Sequence, residues 1–85
     1  MELKEKFEKA AAESKNLASK PSNETLLQLY SLYKQGSVGD IDTEPPSNPF
    51  DFVAKAKYDA WAGLKGKSND EAMTAYVELV KKLQE

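Results

Sequence analysis

Leu3, Phe7, Ala10, Ala11, Ser14, Leu17 and Ala18 recur every three or four residues, with lysines and glutamates between them. That spacing predicts an amphipathic helix with one stripe turned inward. Pro21 interrupts the pattern, and Ser22 stands where an N-cap opens a second helix, with Glu24 in its first turn to favour the helix dipole. Leu26, Leu27, Leu29, Tyr30, Leu32 and Tyr33 make this helix apolar around much of its circumference. It is expected to be the most buried helix, and Gly36 to stop it.

Residues 36–50, GSVGDIDTEPPSNPF, hold two of the four glycines and three of the four prolines. Neither a helix nor a long strand suits them, so a long loop crosses the domain. A third helix is expected from about Asp51 to Leu64 on Phe52, Val53, Ala56, Ala60 and Trp61, with Gly66 after its end. Ser68 and Glu71 then have the spacing of a capping box, opening a fourth helix striped with Ala72, Ala75, Tyr76, Leu79, Val80 and Leu83. Short links at 19–22 and 65–67 favour antiparallel neighbours within the first and second helix pairs. The long central loop leaves the order of the pairs free. The fold class is all-α, a single four-helix domain over residues 1–85.

Composition narrows the chemistry. The 85 residues include no cysteine and no histidine, so thiolate sites, disulfides and the commonest general base are all missing. Seven serines have no histidine partner, and catalysis is not expected. Asp40, Asp42 and Glu44 alternate like the start of a calcium loop. Pro45 and Asp51, however, occupy the positions that need glycine and glutamate, so these carboxylates read as turn-forming and capping groups and no metal is expected. The net charge is −2, and all 12 basic residues are lysines. That balance argues against a nucleic-acid binder. The charged start MELKEKFEK lacks a signal-peptide core, so a cytoplasmic protein is expected.

One pattern remains. Tyr30 and Lys34 are four apart, so they share a helical face, with Tyr33 beside them. Lys57 and Trp61 repeat that spacing on the third helix, with Tyr58 adjacent. Core rings and solvated lysines account for each residue singly, but not for two such sets flanking one Gly/Pro-rich loop. Rings that stack on a base and ammonium groups that meet phosphates account for both. An alternative of another class is a non-catalytic helical protein-interaction module that docks a partner helix.

The strings YSLYKQGSVGD, KAKYDAW and LKGKSNDEAMTAY are long, ordered and correctly spaced, and they closely resemble the acyl-CoA-binding protein family, also known as diazepam-binding inhibitor. The resemblance runs from Phe7 to Leu83. It implies a four-helix bundle of up-down-down-up type that carries medium- to long-chain acyl-CoA esters and forms their intracellular pool. No cofactor, no nucleic acid and no stable membrane insertion are implied, only a monomer in transient contact with membranes or acyl-CoA-using enzymes. By position, Lys15 would approach the phosphates, Tyr30, Tyr33 and Lys34 would meet the nucleotide, and Ser31 and Leu32 between them would belong to the acyl-CoA site. Lys57 and Tyr76 would close the site, and Leu27 would line the route of the acyl chain. Tyr58 stands where the family carries tryptophan, Val53 where a basic residue is common, and Pro45 where arginine is frequent. PPSNPF is one residue longer than usual. Ser14 falls where an apolar residue packs the first helix on the fourth, and an unpartnered hydroxyl there would cost about 1–3 kcal/mol.

Overall fold

The computed structural model describes residues 2–85. Its helices are α1 (Leu3–Glu13), α2 (Asn23–Ser37), α3 (Phe52–Ala62) and α4 (Asn69–Leu83), with a short 3-10 turn at Ser14–Asn16. The all-α reading holds, and among the described residues no helix is long and apolar enough to cross a membrane.

Side-chain partners set the helix directions. Phe7, near the start of α1, stacks on Tyr33 in the second half of α2, whereas Lys15 shares a recess with Leu29 and Tyr30. Hence α1 and α2 run oppositely. Leu26 and Leu27 of α2 face Phe52 and Val53 of α3, and one turn past Tyr30 the Lys34 ammonium lies over Trp61. Those two helices are therefore parallel. Asn69, opening α4, bonds the carbonyls of Gln35 and Gly36 that close α2, so α4 returns antiparallel. The order is up-down-down-up.

The expected pairing of neighbours needs correction. Extensive packing joins α2 to α4, α1 to α4 and α2 to α3, rather than α1 to α2 and α3 to α4. The 65–67 link does reverse the chain, but α3 packs on α2 and α4 packs on both α1 and α2. Phe7, Ala10, Leu29, Tyr76 and Val80 form the sealed core, with Leu32, Met73 and Leu83 packed around it.

Helix ends follow local chemistry. Ser22 Oγ accepts from the Thr25 N–H, Asp51 Oδ1 from the Ala54 N–H, and Ser68 with Glu71 forms the complete capping box. Helix α1 ends at Glu13, five residues before Ala18, the last apolar position of its stripe. Ser14 Oγ donates to the Ala11 carbonyl at 2.7 Å and Asn16 Nδ2 to Ala12, competing for acceptors a longer helix would use. Gly36 does not stop α2, which continues to Ser37. A Cβ at Gly36 would meet Phe7 at 3.1 Å and Met73 at 3.2 Å, so this glycine serves close packing. The turn falls to Gly39, at φ +103°, whose N–H reaches back to the Lys34 carbonyl.

As expected, α2 carries the most buried positions of the four helices, but they are Leu29, Ser31, Gln35 and Gly36, while Leu26 and Tyr33 are exposed. Ser14 also departs from expectation: it accepts from the Tyr76 hydroxyl at 3.2 Å while donating to Ala11, so the expected penalty is relieved.

Candidate functional site

Three recesses meet at the tyrosines of α2. The largest, about 650 Å³, lies between α1, the end of α2 and the start of α4, and Lys4, Glu8, Ala11, Lys15, Tyr33 and Asn69 are among its walls. A second, about 330 Å³, shares Ala11, Lys15 and Tyr33 with the first and adds Ser14, Leu29, Tyr30 and Tyr76. A third, about 370 Å³, shares Tyr30 and runs between α2 and α3 past Leu26, Leu27, Phe52, Val53, Ala56 and Lys57 to Asn23. Together they make one trail across the molecule, lysine-rich at one end and apolar at the other.

Helical spacing places the ammonium groups. Lys57 Nζ lies 5.3 Å from the centre of the Tyr30 ring, and Lys34 Nζ lies 6.0 Å from the same ring and 5.6 Å from Trp61. Each such contact contributes about 0.5–1 kcal/mol at an exposed site. Two like charges drawn to one ring repel each other, and an anion set between them relieves that repulsion. The Trp61 ring is itself held, because its Nε1–H donates to the Gly39 carbonyl at 2.9 Å.

Behind Trp61, the loop after α2 is fastened by polar bonds. Buried Gln35 donates through Nε2 to Asp40 Oδ1 at 2.8 Å and to the Lys67 carbonyl at 2.7 Å. Asp40 Oδ1 also accepts from the Gly66 N–H at 2.9 Å. The Gly66 bond first, then the Gln35 bond, holds the Asp40 carboxyl below the usual aspartate range. Asp40 is thus a structural acceptor. Among the described residues no cluster of acidic side chains is suited to a metal ion.

Most of the residues singled out from sequence come together. Lys15, Tyr30, Tyr33, Tyr76, Leu27 and Lys57 line the trail, with Lys34 above Tyr30. Ser31 and Leu32 do not line it. Ser31 is buried with its hydroxyl donating to the Gln28 carbonyl, and Leu32 packs against the core, because both point to other faces of α2 than Tyr30 and Tyr33. Tyr76 is a floor rather than an open contact: it is buried, its ring centre is 5.9 Å from that of Tyr33, and burial pushes its phenol above the ordinary value. Lys4, Glu8, Asn69, Leu26 and Phe52 are additional wall residues. Lys4, Glu8, Ala11 and Lys15 stand three and four apart, so their shared face was readable in the sequence. What stands opposite that face was not.

Known proteins share this architecture. The family described as acyl CoA binding protein matches residues 4–80. An acyl-CoA-binding protein of Brassica napus is 51% identical over 85 residues, covering 100% of this chain and 91% of its own. Acyl-CoA-binding protein homolog 1 of Caenorhabditis elegans is 51% identical over 77 residues, covering 91% and 88%. Among solved structures, Oryza sativa acyl-CoA-binding protein 2 superposes with a TM-score of 0.90 at 44% identity, over 96% of this chain and 90% of that one. The ACBP of Moniliophthora perniciosa gives 0.88 at 36% identity, over 98% and 80%. The family match over residues 4–80, the 51% identity to relatives along nearly the whole chain and the superposition of the four helices agree, and the chain belongs to the acyl-CoA-binding protein family.

Proposed function

We propose that this protein binds long-chain acyl-CoA esters, without catalysis, and carries and pools them. The observation that carries the reading is the succession of recesses at Tyr30: one holds Lys15, Tyr30 and Tyr33, and the next shares Tyr30 and runs past Lys57, Leu26, Leu27, Val53 and Ala56, with the Lys34 ammonium 6.0 Å from the same ring. A molecule with a purine, phosphates and a fatty arm has that same order of chemistry. The tyrosines stack on the base, the ammonium groups meet phosphate, and the tail enters between α2 and α3.

Magnitudes favour this division. A palmitoyl chain has about fourteen methylenes, and full burial at about 0.8 kcal/mol each sets a ceiling near 11 kcal/mol. Association and ordering take back about 4–15 kcal/mol. The tail alone does not secure tight binding. Charge-assisted phosphate contacts at about 1.5–3 kcal/mol each do, and they set the register of the ligand. The carrier acts as a cytoplasmic monomer in this reading, meeting membranes or acyl-CoA-using enzymes only transiently.

Titration calorimetry with palmitoyl-CoA, CoA and palmitate tests the proposal. The ester is expected to bind tightest, CoA more weakly and the free acid poorly. Equal binding of palmitate and palmitoyl-CoA would remove the head site from the account, and no binding of either would remove the carrier.

A further inference from the structure

Lys34 rests between two rings. Its Nζ lies 6.0 Å from the centre of Tyr30 and 5.6 Å from that of Trp61, while Lys57 Nζ lies 5.3 Å from Tyr30. Tyr30 attracts both ammonium groups, and Trp61 decides where Lys34 settles beside its like-charged neighbour. Whatever fixes Trp61 therefore also fixes one charge of the head-group recess.

Trp61 belongs to α3 and Lys34 to α2, and the bonds that tie them run through the turn after α2. The N–H groups of Val38 and Gly39 close on the Lys34 carbonyl at 2.8 and 3.2 Å. At φ +103°, Gly39 then offers its own carbonyl to Trp61 Nε1–H at 2.9 Å. The next residue is Asp40. One of its carboxyl oxygens, Oδ1, accepts from Gln35 Nε2 near the end of α2 at 2.8 Å and from the Gly66 N–H beyond α3 at 2.9 Å. A single atom thus joins the ends of the two helices, one residue away from the Gly39–Trp61 bond.

We propose that Asp40 is a positioning residue for acyl-CoA binding: by clamping the ends of α2 and α3 it holds Gly39 against Trp61, and Trp61 holds the Lys34 ammonium ready for phosphate before the ligand arrives. This rests on the acyl-CoA reading above. Lysine carries its charge on a flexible stem, and ordering that stem in advance removes an entropic cost from binding. Losing the order corresponds to about a threefold to tenfold drop in affinity. The direction of the effect separates two roles. Asp40 is negative, so if it acted through its charge alone, removing it would strengthen the binding of a phosphorylated anion. Positioning gives the reverse.

The test is calorimetry with CoA and palmitoyl-CoA, well below the melting temperature, on the natural protein, Asp40→Ala, Asp40→Asn, Lys34→Ala and the double variant of Asp40→Ala with Lys34→Ala. Asp40→Ala is expected to lose about threefold to tenfold for both ligands and to shift the fluorescence of Trp61, the one tryptophan of the chain. Asparagine keeps an acceptor oxygen for the same two N–H groups, so Asp40→Asn is expected to recover most of the affinity and of the natural spectrum. In the Lys34→Ala background, Asp40→Ala is expected to cost nothing further. Should thermal melts show that Asp40→Ala does not fold, Asp40→Ser, whose shorter side chain stays solvated, takes its place. Unchanged or raised affinity, or losses that simply add in the double variant, overturns the positioning role and leaves the carrier reading intact. Failure of the natural protein to bind either ligand overturns the carrier reading, and this proposal with it.

Discussion

The two flanks of α2 carry similar residues and meet opposite fates. Toward α1 and α4, Leu29 joins Phe7, Ala10, Tyr76 and Val80 in a core sealed from water. Toward α3, Leu26 and Leu27 face Phe52, Val53 and Ala56 across a groove that stays open. The first flank is covered by two helices, whereas α3 packs extensively on α2 alone and has nothing beyond it to close the gap. Apolarity along a helix does not tell a core from a binding groove. How many elements cover the face does. The sealed flank stabilises the protein whether or not ligand is present, while the open flank keeps its hydrophobic contribution for binding.

The largest expected effect that sharpens this contrast is on stability. Phe7→Ala should lower unfolding free energy by about 3–5 kcal/mol in urea titrations, whereas Leu27→Ala should cost less than about 1 kcal/mol and instead weaken palmitoyl-CoA binding. Equal stability losses would erase the distinction between the flanks. Next, Lys34→Ala and Lys57→Ala should each reduce ester affinity by about 1.5–3 kcal/mol, roughly tenfold or more, while stability falls only by the lost ring contacts, about 0.5–1 kcal/mol each. Unchanged calorimetric affinity in both would detach the lysines from the site. Tyr76→Phe, on the sealed flank, removes a donor to Ser14 and should cost about 0.5–1.5 kcal/mol of stability.

Last comes pH. Asp40 and Glu71 both titrate below their ordinary values when folded, Asp40 through the Gly66 N–H and Glu71 first through the Ser68 N–H. Their stabilisation is present above the unfolded carboxyl values of about 4 and is lost as pH falls through the lower folded ones. Thermal melts from pH 5 to pH 2 should therefore show a decline that Asp40→Asn with Glu71→Gln flattens. Tyr76 has the opposite sign: its phenol is raised, so the stability it contributes is present below its unfolded value of about 10 and falls as pH rises above it.

Much of the site was legible in one dimension because helices repeat. Tyr30 with Lys34, and Lys57 with Trp61, share faces by spacing alone, and the structure sets them together over one another. The capping box at Ser68 and the cap at Ser22 were equally local. Gly36 was misread because a glycine that ends a helix and one that admits a neighbouring ring look alike until Phe7 is seen against it. Ser31 and Leu32 were carried along between site residues, although a helix turns such neighbours toward other faces. Asp40 looked like part of an acidic loop, and its bonds to Gln35 and Gly66 span a separation no local pattern reveals.

From the chain alone came the helices, their caps and the faces on which lysines and rings gather, since these depend on neighbours within about one turn. Which helices pack together, which apolar flank is sealed and which stays open as a groove were decided only in three dimensions. Those outcomes depend on contacts between residues far apart in the chain, such as Phe7 with Gly36 or Ser14 with Tyr76, and short links constrain the direction of the next helix without choosing the helix it packs against.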